Sequence, residues 1–377
     1  MIYLDHAATT PMRPGVWEAM APFAAEAFGN PSGVHGISRT AKNALEEARE
    51  LMAELIGANP MEIVFTSCGT ESDNLAIKGP VLSGTGRHGL VTTAIEHEAV
   101  LETADFLKRL GYPVTIAGVD ASARVDPDEI AGGVSDETAV VSVMMVNNET
   151  GTIQDIPAIS AAVKGASPEV LVHSDAVQAF GGMAVDVDEL GLDLLTISAH
   201  KFGGPKGSGI LYVREGTTLE PVLHGGGQEL GRRSGTNDVA SAVGIATAAR
   251  LALDDRLRFD TEIRAVRDRF QKALVSGIED VEINTPAEGR SGHHLNVRFP
   301  GVRNETLLML LDQRGVCASA GSACQSGAAT VSHVLEAMGL SPGAARECAR
   351  FSFGWTSTAK EADEAAEIVV DLVDRLR

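Results

Sequence analysis

Short apolar runs alternate with amphipathic stretches through most of the chain. The runs are "EIVFT" (62–66), "GLVTT" (89–93), "PVTIAGV" (113–119), "AVVSVMMV" (139–146), "VLVHS" (170–174), "DLLTIS" (193–198) and "GILYV" (209–213). They are continuous in apolar character rather than alternating, the pattern of strands covered on both faces. Between them lie helical stretches, "ESDNLAIKG", "EAVLETADFLKRL" and "IPAISAAVKG". Strand–helix–strand order predicts an α/β fold with a mostly parallel sheet.

A long helical stretch follows from about 238 to 277, interrupted near "LDDRLRFD". Shorter strands ("HHLNVRF", "GVCASA") and helices ("TLLMLLDQRG", "KEADEAAEIVVDLVDRLR") come after it. This predicts a large domain over 15–250 and a smaller α+β domain from 1–14 and 251–377. The chain has 377 residues, enough for two domains at about 100–200 residues each.

The charge balance narrows the function classes. With 31 basic and 51 acidic residues the formal net charge is -20, which excludes nucleic-acid binding through bulk electrostatics. The start "MIYLDHAATT" carries no signal-peptide pattern, and no apolar run approaches the roughly 18 residues of a membrane span. The expectation is a cytoplasmic protein with no membrane partner. Its four cysteines, Cys68, Cys317, Cys324 and Cys348, are then expected as free thiols.

In an open parallel sheet, ligands bind beyond the carboxyl ends of the strands. The residues there are unusually polar: Cys68, Gly69 and Thr70; His97; Asn147, Asn148 and Glu149; Asp175 and Gln178; His200 and Lys201. "TSCGTESDN" opens a helix, with Thr70 as the expected N-cap and Asp73 completing a capping box. That helix start is either a plain capped end or a phosphate site. Asp175 could pair a protonated ring nitrogen or be a solvated strand-end acid. His97 could stack on a ring, shuttle a proton or be structural. Lys201 directly follows a buried strand, where desolvation lowers an amine's pKa as Schiff-base formation requires. Lys206, its rival, sits in a Gly-Pro-Lys-Gly turn and reads as a loop cation. Together these are the parts of a pyridoxal 5'-phosphate (PLP) site.

Two cysteines sit in "CASAGSACQSG". Cys317 reads as a core residue of an apolar strand, while the neighbours of Cys324 are too small to bury it. Adjacent His293 and His294 would point to opposite faces of a strand, which argues against a shared metal. No metal site is expected. Cys68 reads as structural, and Cys348 suggests no role.

At this point the sequence resembles a known family, the cysteine desulfurases of the NifS/IscS type (class V aminotransferases) within the fold-type I PLP enzymes. The matching segments include "YLDHAATTPMRP", "EIVFTSCGTESDNLAIKG", "VNNETGTIQDI", "HSDAVQAFG", "SAHKFGGPKGSGILYVR", "GGGQELGRRSGTND", "SAGSACQSG" and "RFSFGW", spread over nearly the whole chain. The resemblance implies that Lys201 carries the cofactor and His97 stacks on its ring. Asp175 would hold the pyridine nitrogen and Gln178 the phenolic oxygen. Gly69, Thr70, Ser198 and His200 would hold the phosphate, and Thr236 would reach the phosphate of the neighbouring subunit of a homodimer with shared sites. Asn148, beside the cofactor, and Arg350 would bind the carboxylate of the substrate, L-cysteine. Cys324 would take its sulfur as a persulfide for an acceptor or iron–sulfur scaffold protein, leaving L-alanine. Eight positions separate Cys324 from Ser332, the long form of that loop. Departures from the pattern are Cys68, Ser38, Gly204 and "AATVSH", none a catalytic group. Two alternatives are compatible with these segments: another PLP-dependent lyase or aminotransferase such as selenocysteine lyase, and a sulfur-carrier scaffold without turnover.

Overall fold

The computed structural model describes residues 1–321 and 331–377; Cys324 lies outside the described residues. In chain order the strands are β1 (Ile2–Tyr3), β2 (Ile63–Thr66), β3 (Gly89–Thr93), β4 (Val114–Ala117), β5 (Thr138–Ser142) and β6 (Leu171–Asp175). They continue with β7 (Leu194–Ser198), β8 (Gly209–Val213), β9 (Glu282–Ile283), β10 (His294–Arg298), β11 (Val316–Cys317) and β12 (Cys348–Ser352).

Seven of them form one sheet in the order β2-β8-β7-β6-β5-β3-β4. β8 runs antiparallel to both neighbours and the other pairs are parallel. The molecule is thus α/β with a mostly parallel central sheet. Helices Gly36–Ile56, Ile156–Ala166 and Val239–Asp254 cover one face and share its apolar core. Helices Gly69–Leu82 and Glu98–Arg109 cover the other. This double cover is why continuous apolar runs are needed: every residue of β3, β5, β7 and β8 is buried. The run at 113–119 departs from that expectation. It supplies the edge strand β4, whose Thr115 and Ile116 are exposed.

The interruption expected near "LDDRLRFD" is a short turn at Arg256–Arg258 and a π-helical turn at Phe259–Ile263, between helices Val239–Asp254 and Arg264–Gly277. A second apolar core lies beyond it. Helices Arg264–Gly277, Asn304–Gln313 and Ala359–Leu376 pack there on the sheet β12-β10-β9, with Ile2 and Leu4 from the chain start. β1 pairs in parallel with β11, and Asp5 bridges to Ser352. Phe270, Phe351 and Phe353 are fully buried at its centre, with ring centroids 4.9 and 5.5 Å from Phe270. Each such ring contributes about 1.5–3 kcal/mol by burial. The N-terminal strand thereby brings Asp5 to Ala8 over the carboxyl ends of the central strands.

Candidate active site

The β7–β8 connection carries Lys201. Ser198 ends β7, and Ala199–Lys201 form one 3₁₀ turn. The chain then turns back through Gly203 and Gly207, both with positive φ. Gly204 is required by contact: a Cβ there would lie 2.7 Å from the Ala199 Cβ and 3.2 Å from that of Ala248. This packing explains the glycine where the family pattern has a bulkier residue. Lys201 Nζ donates to the carbonyls of Ala7 (2.6 Å) and Ala8 (3.0 Å).

Around Lys201 lies a cavity of about 360 Å³. Its walls include Gly69, Thr70, His97, Asn148, Asp175, Gln178, Ser198, His200 and Arg350, so all but two of the residues to which the family resemblance gives a role converge here. The exceptions are Cys324, outside the described residues, and Thr236. Thr236 is exposed on a separate cleft with Ser67, Gly207 and Arg233. Two ion pairs hold that segment: buried Arg49 donates to both carboxylate oxygens of Glu229 (2.8 and 2.9 Å), and Arg233 pairs with Glu71 at 2.7 Å.

Asp175, at the end of β6, is buried and accepts the Val177 N–H at 2.8 Å. Burial lifts its carboxyl to about 6, against the pull of the Val177 N–H and Lys201. Asp73 stands beside it, also buried. Burial first, then the charges of Asp175 and Glu96, push Asp73 well above the usual carboxylate range. The proton of this pair therefore rests on Asp73, and Asp175 is the member left to carry charge. Glu96, fully buried, is lifted to about 8 by burial. His97 caps helix Glu98–Arg109, its Nδ1 accepting the Ala99 N–H at 3.1 Å. The ring proton is thus on Nε2. Burial, then Lys201, lowers its pKa, so it is neutral at neutral pH.

Arg350, on β12, is buried and donates Nη2 to Asp5 (2.7 Å) and Nη1 to the Asn148 carbonyl (2.9 Å). Gln178 donates to the Ala7 carbonyl at 2.9 Å. His200 meets the Thr9 hydroxyl at 3.0 Å.

Three expectations need correction. Thr70 is not the N-cap: the helix begins at Gly69 with Cys68 in the capping position, and no side chain caps it. Asp73 could not complete a capping box, because it turns inward toward Asp175 and His173. His293 and His294 do not diverge. β10 begins only at His294, so strand alternation does not reach His293, and the two ring centroids lie 4.1 Å apart. No group of three or more His, Cys, Asp or Glu side chains placed to hold a metal occurs among the described residues. Cys317 is half-buried rather than core. Cys348 is buried, receiving the Asn284 amide N–H at 3.2 Å, and Cys68 lines the cavity.

Sequence reasoning missed Asp5, Glu96 as a buried acid, the Ala7 carbonyl and His294 as part of the site. "YLDHAATT" carried no spacing signal for Asp5, whose partner is 345 positions away. Glu96 had one usable signal, an acid directly before His97 at a strand end.

Comparison with known proteins extends this picture. The aminotransferase class-V family model matches residues 2–364. The cysteine desulfurase IscS of Dictyoglomus turgidum is 44% identical over all of this chain and 95% of its own. The protein of that name from Methanosarcina thermophila is 42% identical, covering all of this chain and 93% of its own. Among solved structures, a NifS-like protein superposes with a TM-score of 0.93 at 36% identity, covering 99% of both chains. A structure described as SspA in complex with cysteine gives 0.83 at 36% identity, over 94% of this chain and 99% of that one.

Class-V and NifS-like proteins form PLP-dependent families. The residues present fit that cofactor. The cavity volume is in the range of small-molecule sites. A Cβ at Gly69 would lie 3.1 Å from Val177 Cγ2 and 3.3 Å from Ser198 Cβ, so glycine lets the helix start sit close against Ser198 at the end of β7, where free helix N–H groups suit a phosphate. Asp175 offers a buried carboxylate for a protonated ring nitrogen, and Asp73 Oδ1 has no hydrogen-bond partner among the described residues. On its full-length match and its fold, the chain belongs to the aminotransferase class-V family.

Proposed function

We propose that this protein is a PLP-dependent cysteine desulfurase that moves sulfur from L-cysteine to Cys324 and releases L-alanine. The observation that carries the proposal is the convergence of Lys201, Asp175, His97 and Arg350 on one cavity, in a chain with full-length relatives named cysteine desulfurase.

Lys201 would hold the cofactor covalently, with Gly69, Thr70, Ser198 and His200 at its phosphate and Gln178 at its phenolic oxygen. When bound, PLP supplies an electron sink for the substrate α-carbon. Asp175 keeps the pyridine nitrogen protonated, and neutral Asp73 beside it leaves that charge uncontested. The Arg350 fork, aimed by Asp5 and the Asn148 carbonyl, grips the substrate carboxylate together with Asn148. Lys201 Nζ takes the α-proton. Neutral His97 exchanges the thiol proton through Nε2. The Cys324 thiolate attacks the substrate sulfur; an S–S bond forms, the C–S bond breaks, and its electron pair leaves with carbon to become alanine once protonated.

Thr236 would complete the site of a second copy in a homodimer, since its own cleft is separate from the cavity. The persulfide would pass to an acceptor or iron–sulfur scaffold protein. None of the helices among the described residues is long and apolar enough to cross a membrane.

The test is amino-acid analysis of the purified protein incubated with L-cysteine. With a dithiol added to reduce the persulfide, alanine and sulfide should appear in equal amounts, and Cys324→Ala should abolish both while the cofactor's colour remains. Sulfide release at the normal rate by Cys324→Ala would overturn the assignment.

A further inference from the structure

Beside the second apolar core, a buried histidine backs one of the side chains that line the cofactor cavity. His294 begins β10, is fully buried, and its Nε2 lies 3.2 Å from Gln178 Oε1. Its Nδ1 lies 2.7 Å from the Ser291 hydroxyl. The Ala7 carbonyl accepts the Gln178 Nε2–H, so the amide oxygen must face His294 and accept from it. The ring proton is therefore on Nε2, and Ser291 donates to Nδ1. Its surroundings keep the ring neutral. It is buried, packed at a tilt against His293 and faced by Arg350, Arg267 and Lys201, which together hold it well below the usual imidazole range. Arg267 also donates to the His294 carbonyl at 3.1 Å. Its place is sterically fixed: a Cβ at Gly151 would lie 2.6 Å from His294 Cβ.

We propose that His294 is a positioning residue for the cofactor. Its Nε2–H and the Ala7 carbonyl lock the Gln178 amide in one orientation, leaving the second amide N–H for the cavity that Gln178 lines. This rests on the reading above, in which that N–H meets the phenolic oxygen. An N–H given to that oxygen withdraws electron density from the protonating group conjugated to it, and a loosened amide gives it less well.

The test is a pH titration of the visible band of the cofactor-loaded protein. His294→Leu, similar in size but without a donor, should raise the midpoint by about 0.5–1 unit, a roughly 3–10-fold higher proton affinity. Gln178→Leu should raise it at least as far, and the double variant no further than Gln178→Leu alone. His294→Gln, whose amide reaches Gln178 Oε1, should restore the wild-type midpoint. If Gln178→Leu shifts the midpoint and His294→Leu does not, the inference is overturned. If Gln178→Leu leaves it unmoved, the cofactor reading of Gln178 fails instead. Should His294→Leu not load cofactor, ¹⁵N NMR of the wild-type imidazoles decides: an Nε2–H tautomer supports the inference and Nδ1–H defeats it.

Discussion

The cavity has a floor and a roof, and they are held in different ways. The floor is the carboxyl edge of the parallel strands: Asp175 ends β6, Ser198 ends β7 with Lys201 in the turn after it, and His97 follows β3. Two of its side chains are fixed by backbone two positions away, Asp175 by the Val177 N–H and His97 by that of Ala99. The roof comes from Arg350 and Gly321, with Asp5 behind Arg350 and His294 behind Gln178, on elements that join only in the folded chain. Its bonds span long separations, 345 positions for Arg350–Asp5, 194 for Lys201–Ala7 and 116 for His294–Gln178. A strand end therefore sets the floor's chemistry locally. The roof's geometry depends on how the second core packs, so damage to that core should reach substrate binding without touching a catalytic group.

The largest expected effect breaks the floor. Lys201→Ala should lower alanine release from cysteine by more than about 10³-fold, above about 4 kcal/mol of transition-state stabilisation, in a protein that unfolds at the wild-type urea midpoint. Phe270→Ala comes next and addresses the roof. Removing a fully buried ring that touches Phe351 and Phe353, flanking Ser352 beside Asp5, should cost about 3–4 kcal/mol in urea unfolding. The folded variant should also show a raised KM for cysteine. A cost under about 1 kcal/mol would mean that the second core does not set the roof.

Arg350→Lys should raise KM for cysteine about 10–100-fold with a smaller change in kcat, because an ammonium cannot serve Asp5, Asn148 and a substrate carboxylate as a planar fork does. Equal losses in kcat and kcat/KM would place Arg350 in the chemical step. The smallest effect concerns pH. Glu96 is held at about 8 by burial, against roughly 4.3 in an unfolded chain. Between these values the folded chain binds the extra proton, so stability falls as pH rises from about 4.3 to 8. Glu96→Gln should remove that loss. Its Tm should match wild type near pH 5 and exceed it by a few degrees near pH 8.5. Matching midpoints at both pH values would mean Glu96 ionises freely in the fold.

The floor was legible because period and position are local. Continuous apolar runs located β2, β3 and β5 to β8, and the residues after them followed from chain direction alone. Where local reasoning failed, a tertiary contact had overruled it. Thr70 and Asp73 spell a capping box, yet Asp73 is drawn inward to Asp175, and Cys68 takes the cap position without capping. His293 and His294 suggest alternation, yet the strand starts one residue later than that reading needs.

The sequence by itself determined the α/β order, the polar strand ends and the identity of the amine, acid and imidazole that line the cavity, because hydrophobic period and strand direction are properties of neighbouring residues. Only the tertiary structure decided which acid keeps its proton, what aims Arg350 and which way the Gln178 amide faces. Those outcomes depend on burial and on partners more than a hundred positions apart, and neither is written in any short stretch of chain.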